Sequence, residues 1–386
     1  MFRHDRLGRG TGMTISRSSL PMMPRGLVER LMCMHDEMKG DPLLRELNRV
    51  AVALYDHSSD LLKSFIHSSD GDSPLEHAAA RLGEMPSLRA LAETGARRAI
   101  NDLAAAGNDL AYNRRLLECG YQSSYTVPIS HKGTFYGFLF FDSFARDFFN
   151  PAVIRRLRPH VELIALTVVR ELDAVRMMQA AVTVIRQVSS ARDEETASHL
   201  ARMARYARLV ASKMAPSHGF DDEFIEFVFQ FCPLHDVGKV AVPDSILLKP
   251  GRLTGDEFAV MRGHVAHGME IVEMMMRDFG LRSMPHAGLL RNIVAFHHES
   301  VDGSGYPHGL RGDEIPIEAR IAAVADVFDA LTSQRPYKTP WTNAEALDLL
   351  RREAGRKFDA DCVAVMLANM DAVEEIQSRF GETMYG

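Results

Sequence analysis

Cysteine is scarce and unpatterned. The four cysteines, Cys33, Cys119, Cys232 and Cys362, never fall in CxxC spacing, which argues against a disulfide framework or a zinc knuckle. Long apolar runs are also missing. No stretch of bilayer-spanning length is free of charges, and Met1 to Leu20 lacks the apolar block of a secretory signal, so a cytoplasmic location without membrane attachment is expected. Positive charge is not in excess, since 45 Lys and Arg stand against 51 Asp and Glu for a net charge of -6. That balance disfavours a nucleic-acid polymer as partner while leaving room for a local basic pocket around a small phosphodiester. Low-complexity bias is absent, and 46% apolar with 25% charged residues is an ordinary globular mixture. At 386 residues the chain exceeds one comfortable core, so two domains and a short leader are expected.

Residues 1–40 read as a leader with a helix near Pro24 to Met38, whose Leu27, Leu31 and Met34 share a face. From Val50 the pattern turns to strands. Val50 to Tyr55 and Leu61 to His67 flank a polar turn, and Ser124 to Ile129 and Thr134 to Phe141 flank His131-Lys132-Gly133, which predicts two hairpins with helical segments between them, an α+β order. Asn150-Pro151 is a helix start. Beyond it Val161, Ile164, Val168, Leu172, Val175, Met178, Val182 and Ile185 step by threes and fours. This spacing fits a coiled-coil seam, and hence a homodimer through a connecting helix at 173–190, or else one long helix packed on its own domains. From Val182 onward the pattern is helical, broken at Pro243 to Gly255 and Asp302 to Pro316, so the C-terminal half is expected to be an all-α bundle.

Polar residues interrupt the apolar faces of that bundle. Glu195 and His199 are spaced i, i+4, which stacks them on one helix face as a shared metal requires. His235-Asp236 is flanked by Phe231, Leu234 and Val237, the setting of a buried dyad, and imidazole with carboxylate suits a divalent transition metal. Asp326 sits within the apolar run Ile321 to Phe328, where a carboxylate is costly unless paired or metal-bound. His264 and the pair His297-His298 add further donors. Beside that pair, Asp302-Gly303-Ser304-Gly305-Tyr306-Pro307 predicts a tight backbone turn, with Tyr306 offering a flat face for a base.

Residues 41–172, with "VALYDHSSDLLKSF" and "SYTVPISHKGTFYGFLFFDS", resemble a GAF sensory domain. Such domains bind a small ligand such as a cyclic nucleotide or a tetrapyrrole, or nothing; no motif here selects among these, and Cys119 is read as structural. His235-Asp236 with Lys239, "HHESVDGSGYPHGL" and "ADVFDALTSQRPYK" resemble the HD-GYP branch of the HD phosphohydrolase superfamily, taking in residues 191–386. The resemblance implies metal ligation by Glu195, His199, His235, Asp236, His264, His297, His298 and Asp326, with Asp236 bridging. His267 competes with His264 but reads as a surface residue. Glu195 implies a third metal beside two. Iron is the first expectation and manganese the second. Lys239, Gly305, Tyr306, Arg335 and Lys338 are implied at the substrate, and His235, Asp236 and Lys239 in catalysis. Ser300-Val301, where an aromatic is common, and His308 depart from the pattern without removing a ligand.

The resulting expectation is hydrolysis of cyclic di-GMP to the linear dinucleotide and GMP, modulated by the N-terminal domain. Two alternatives stand beside it: a cyclic-dinucleotide-responsive binding protein with little hydrolysis, and a phosphodiesterase for another cyclic dinucleotide such as cyclic GMP-AMP.

Overall fold

The computed structural model describes residues 26–71, 77–106, 111–188, 197–278, 286–334 and 339–381, with the side chains of residue 111 and of 183–188 left aside. In the N-terminal half, helix α1 (Leu27–Lys39) precedes strands β1 (Arg49–Asp56), β2 (Leu61–Ser69) and β3 (Ala79–Arg81). Helix α2 (Pro86–Thr94), strand β4 (Arg98–Ile100), helix α3 (Ala111–Glu118) and strands β5 (Ser123–His131) and β6 (Thr134–Ser143) follow. The six strands form one antiparallel sheet in the order β3-β2-β1-β6-β5-β4. Both predicted hairpins are present, as β1–β2 and β5–β6.

The sheet is covered on both faces, which explains why β1 and β6 are nearly continuous apolar runs instead of alternating ones. Val50, Val52, Leu54, Leu139 and Phe141 face a large core that contains Leu27 and Leu31 of α1. Ala51, Leu62, Phe138 and Phe140 face a smaller core under Leu88 and Leu91 of α2. Gly137 on β6 allows that strand to close on β1, since a Cβ there would lie 1.9 Å from the Ala53 carbonyl oxygen.

Helix α4 (Pro151–Val188) is a single run of 38 residues, starting where Asn150 accepts hydrogen bonds from Ala152 N and Val153 N. The expected boundary between residues 172 and 173 therefore falls inside one helix. Its apolar stripe is consumed within the chain. Val161, Ile164, Val168, Leu172, Val175, Met178 and Val182 are buried in the same core as sheet residues Leu139 and Phe141 and as Phe227, Phe231 and Leu234 of the C-terminal half. For this stripe the packed-helix reading holds and the dimer seam is corrected, because its side chains are already covered.

The C-terminal half is helical, as expected: α5 (Ala197–His218), α6 (Asp222–Phe231), α7 (Asp244–Leu247), α8 (Gly255–Arg262), α9 (His264–Asp278), α10 (Ala287–Phe296), α11 (Ile317–Thr332), α12 (Asn343–Glu353), α13 (Ala360–Ala368) and α14 (Met370–Arg379). Among the described residues no helix is long and apolar enough to cross a membrane.

Buried polar contacts tie the halves together. Lys63 of β2 donates to Glu226 of α6 at 2.8 Å. Arg205 of α5 lies 3.5 Å from Asp56 at the end of β1. Glu223 of α6 accepts from Leu27 N and Val28 N at 3.0 and 3.2 Å, satisfying donors that the first turn of α1 cannot pair internally.

Candidate metal centre

Each donor is placed by a distinct break in the helical bundle. Helix α6 is capped by Asp221, which accepts from Phe224 N at 2.7 Å, and it ends as Pro233 enters a 3₁₀ turn at Cys232–Leu234. His235 and Asp236 lie between that turn and a second one at Val237–Ala241. Gly238 lets the second turn press on α9, because a Cβ there would stand 1.9 Å from the His264 carbonyl oxygen and 2.4 Å from Gly268 N. This contact brings Asp236 to His264, the first residue of α9. His199 comes from α5, His297 and His298 follow the last residue of α10, and Asp326 faces inward from α11.

The donors converge as two groups. His199, His235 and Asp326 form one, and Asp236, His264, His297 and His298 the other, with donor atoms in each within 4.8 Å of one another. Asp236 stands between the groups. Its Oδ1 lies 3.0 Å from His264 Nε2 and 3.4 Å from His297 Nε2, and its Oδ2 lies 3.1 Å from His235 Nε2 and 2.6 Å from Lys239 Nζ. Asp326 Oδ1 is 3.7 Å from His199 Nε2 and 3.8 Å from His235 Nε2.

The outer ring nitrogens decide what these imidazoles offer. His235 Nδ1 meets the Cys232 carbonyl oxygen at 2.9 Å, His264 Nδ1 that of Met261 at 2.7 Å, and His297 Nδ1 that of Ile293 at 2.9 Å. His199 Nδ1 meets Asp329 Oδ2 at 2.8 Å. A carbonyl or carboxylate oxygen accepts only, so each Nδ1 carries the hydrogen and each Nε2 turns a lone pair inward. His264 Nε2, His297 Nε2 and Asp236 Oδ1 are buried and make no hydrogen bond. Buried acceptors gathered without donors are destabilising unless a cation lies among them, so the residues present fit divalent metal ions.

Electrostatics point the same way. Desolvation opposes the Asp236 charge, yet the Lys239 ammonium at 2.6 Å holds its carboxyl well below the usual range. Desolvation, followed by the proximity of His297, pushes His298 well below an ordinary histidine, leaving it neutral at pH 7 as a ligand must be. Asp329 is buried, which works against its charge, but hydrogen bonds from His199 and Arg202 keep its carboxyl lowered. Arg202 binds it through Nε at 2.7 Å and Nη2 at 2.9 Å.

The glycine-rich loop covers one side. Tyr306 lies against His298, ring centroids 4.7 Å apart, and its N–H donates to the His298 carbonyl oxygen at 3.1 Å. Burial, then the Asp236 charge, pushes its phenol up, so it stays protonated and able to donate. Gly303 has φ +80°, as a left-handed turn requires. Gly305 packs instead: a Cβ would lie 2.3 Å from Ser300 N, so it shapes the loop. The buried Glu299 carboxylate accepts from His308 N at 2.7 Å and Leu310 N at 3.0 Å, fixing the rest of the turn.

Glu195, Arg335 and Lys338 lie outside the described residues. His267 is exposed, pairing with Glu270 at 3.6 Å away from the donors. Sequence reasoning missed Asp329, Glu299, Gly238 and Gly268. Asp329 had a signal, an acidic residue three positions after Asp326 in an otherwise apolar helix; the partners of Glu299 are backbone groups that no side-chain pattern reveals.

Residues 191–362 match the family model for the HD domain. The chain is 46% identical over 189 residues to the "Cyclic di-GMP phosphodiesterase response regulator RpfG" of Xanthomonas campestris pv. campestris, covering 49% of this chain and 47% of that protein. It is 44% identical over 181 residues to the "3'3'-cGAMP-specific phosphodiesterase 2" of Vibrio cholerae, covering 47% of this chain and 33% of that one. The chain thus spans half or less of the length of these relatives. Among solved structures, the N-terminal region is similar to the "GAF domain/HD domain protein from Geobacter sulfurreducens", at 16% identity over 37% of this chain and 91% of that one, with a TM-score of 0.30.

Proposed function

We propose that this chain, matched to the HD domain over residues 191–362, is a metal-dependent phosphodiesterase for a cyclic dinucleotide, with cyclic di-GMP as the first substrate. The observation that carries the reading is the set of Nε2 atoms, each held by an acceptor behind its Nδ1, converging on a shared carboxylate. A pure binding protein has no physical need for such a set. The relatives named cyclic di-GMP phosphodiesterases support the substrate class.

In this reading His199, His235 and Asp326 would hold one metal and Asp236, His264, His297 and His298 a second, with Glu195 the expected donor to a third. Iron or manganese suits mixed imidazole and carboxylate donors. Bound metals supply the acidity that makes water nucleophilic near neutral pH and the positive charge that a phosphodiester requires. Lys239, fixed on Asp236, adds a cation beside the scissile group. The protonated Tyr306 donates to a phosphate oxygen, and Arg335 and Lys338 hold the remaining negative charge. The product is the linear dinucleotide, with GMP from a second cut. The N-terminal α+β domain, answering to an unidentified small ligand, modulates the reaction through its contacts with α5 and α6.

A second reading has a specific support: relatives named 3'3'-cGAMP-specific phosphodiesterases, one of them 44% identical, make mixed cyclic GMP-AMP the alternative substrate. The deciding experiment measures metal content of anaerobically purified protein and chromatographs the products from both dinucleotides. Two or more metals per chain with linear product is expected, and Asp236→Ala should lose both metal and turnover; metal-loaded protein that leaves both substrates intact overturns the reading.

A further inference from the structure

At the mouth of the metal centre stands a wall that the ligand set does not use. Phe258 of α8 is 40% exposed, and a large apolar side chain left in solvent carries information when it gathers with others beside a site. Its ring meets that of Tyr306 edge-on, centroids 6.3 Å apart. The Arg262 guanidinium lies over both, its Cζ 4.6 Å from the centroid of Phe258 and 5.1 Å from that of Tyr306. Arg262 forms no ion pair with any described residue.

The wall is held rigidly. Thr254 and Glu257 form a reciprocal cap at the start of α8, and Lys249 donates to Glu257 Oε1 at 2.7 Å. One residue, Gly263, separates Arg262 from His264, so the position of the wall is set by the same helix junction that aims His264 at Asp236. A fixed aromatic face, a planar cation whose N–H groups face no carboxylate among the described residues, and a candidate metal centre behind them match the parts of a purine nucleotide: a ring to stack, an edge of acceptors to hydrogen-bond, and a phosphate to be cut.

We infer that Phe258 and Arg262 are the base-recognition residues of this site, a purine stacking on Phe258 beside Tyr306 while Arg262 donates to its edge. Guanine presents two acceptors there, O6 and N7, to a bidentate arginine; adenine presents one acceptor and an opposing N6 donor. Arg262 therefore favours guanine in the pocket nearest α8, and it separates cyclic di-GMP from mixed cyclic GMP-AMP when the adenine is presented to it. The inference rests on the cyclic-dinucleotide reading above.

The test measures kcat and KM on both dinucleotides, and affinity for non-hydrolysable phosphorothioate analogues of cyclic di-GMP and of cyclic di-AMP, which has no guanine to present, for wild type, Phe258→Ala, Phe258→Trp and Arg262→Gln. Phe258→Ala should raise KM and weaken analogue binding about tenfold, more than it lowers kcat, and Phe258→Trp should restore most of the loss. Arg262→Gln should shrink the ratio of affinities for the cyclic di-GMP and cyclic di-AMP analogues about tenfold. An active wild type whose KM is indifferent to Phe258→Ala overturns the stacking role alone, and equal losses of affinity for the cyclic di-GMP and cyclic di-AMP analogues in Arg262→Gln make Arg262 a phosphate contact and overturn base recognition. A wild type that binds the analogue through these residues yet cuts neither substrate removes the hydrolase reading and leaves the wall; one that neither binds nor cuts removes both.

Discussion

Asp329 shows how much of a candidate metal centre lies one side chain behind its donor groups. Its two oxygens take His199 Nδ1 and the Arg202 fork, so it fixes the tautomer and the ring plane of His199 while remaining charge-balanced itself. Asp329→Ala should reduce metal affinity about 10- to 100-fold, as loss of such outer partners does, measured by titration against a competing chelator with circular dichroism to confirm the fold. Asp329→Asn, which keeps an acceptor for His199, should fall between that variant and wild type. The donors in front were legible in the sequence because polar residues at buried positions of a helical pattern need a reason. What the sequence did not yield was the supporting shell, since Nδ1 partners such as the Cys232, Met261 and Ile293 carbonyls are backbone groups whose direction depends on how each helix ends.

Among elements, α1 depends on a carboxylate from the other half of the chain. Glu223 accepts from Leu27 N, Val28 N and His286 Nε2. Burial opposes its charge, yet the hydrogen bond and charge of His286, with the α1 donors, hold its carboxyl below the ordinary value of 4.5. A depressed folded pKa contributes stability that is fully present above the unfolded value and is lost as pH falls through the folded one. Glu223→Gln should therefore cost about 1–3 kcal/mol at pH 7, and the gap between the melting temperatures of wild type and variant should narrow as pH drops below 4.5. A gap independent of pH would show that the amide's loss is one of packing. Helix positions in the C-terminal half were readable from periodicity, and so were both hairpins. The strand order was not, because pairing β1 with β6 joins residues such as Arg49 and Asp142 that no local pattern connects.

At the scale of the whole molecule, the two halves share buried charge. Lys63 and Glu226 are nearly inaccessible, with 9% and 7% of their side chains exposed, and desolvation lowers the lysine. Removing one partner strands the other, so Lys63→Ala should destabilise the protein by about 3–5 kcal/mol, whereas Lys63→Met with Glu226→Leu should recover most of that. Chemical denaturation of wild type, the single variant and the double variant checks this; a double variant as unstable as the single would show that shape, not charge, governs the contact. The connecting stripe on α4 was visible as a periodicity, but periodicity alone did not distinguish another chain from this chain's own sheet as the surface that covers it.

A consequence of the uninterrupted α4 concerns how this chain can be taken apart. Its 38 residues contribute side chains to one core lined by Leu139 and Phe141 from one side and by Phe227 and Leu234 from the other. Severing the chain at any point along that rod leaves each fragment with bare grease where its counterpart had been. The two halves, though distinct in architecture, are thus a single cloning unit, to be moved into another protein together with α4 and not apart from it.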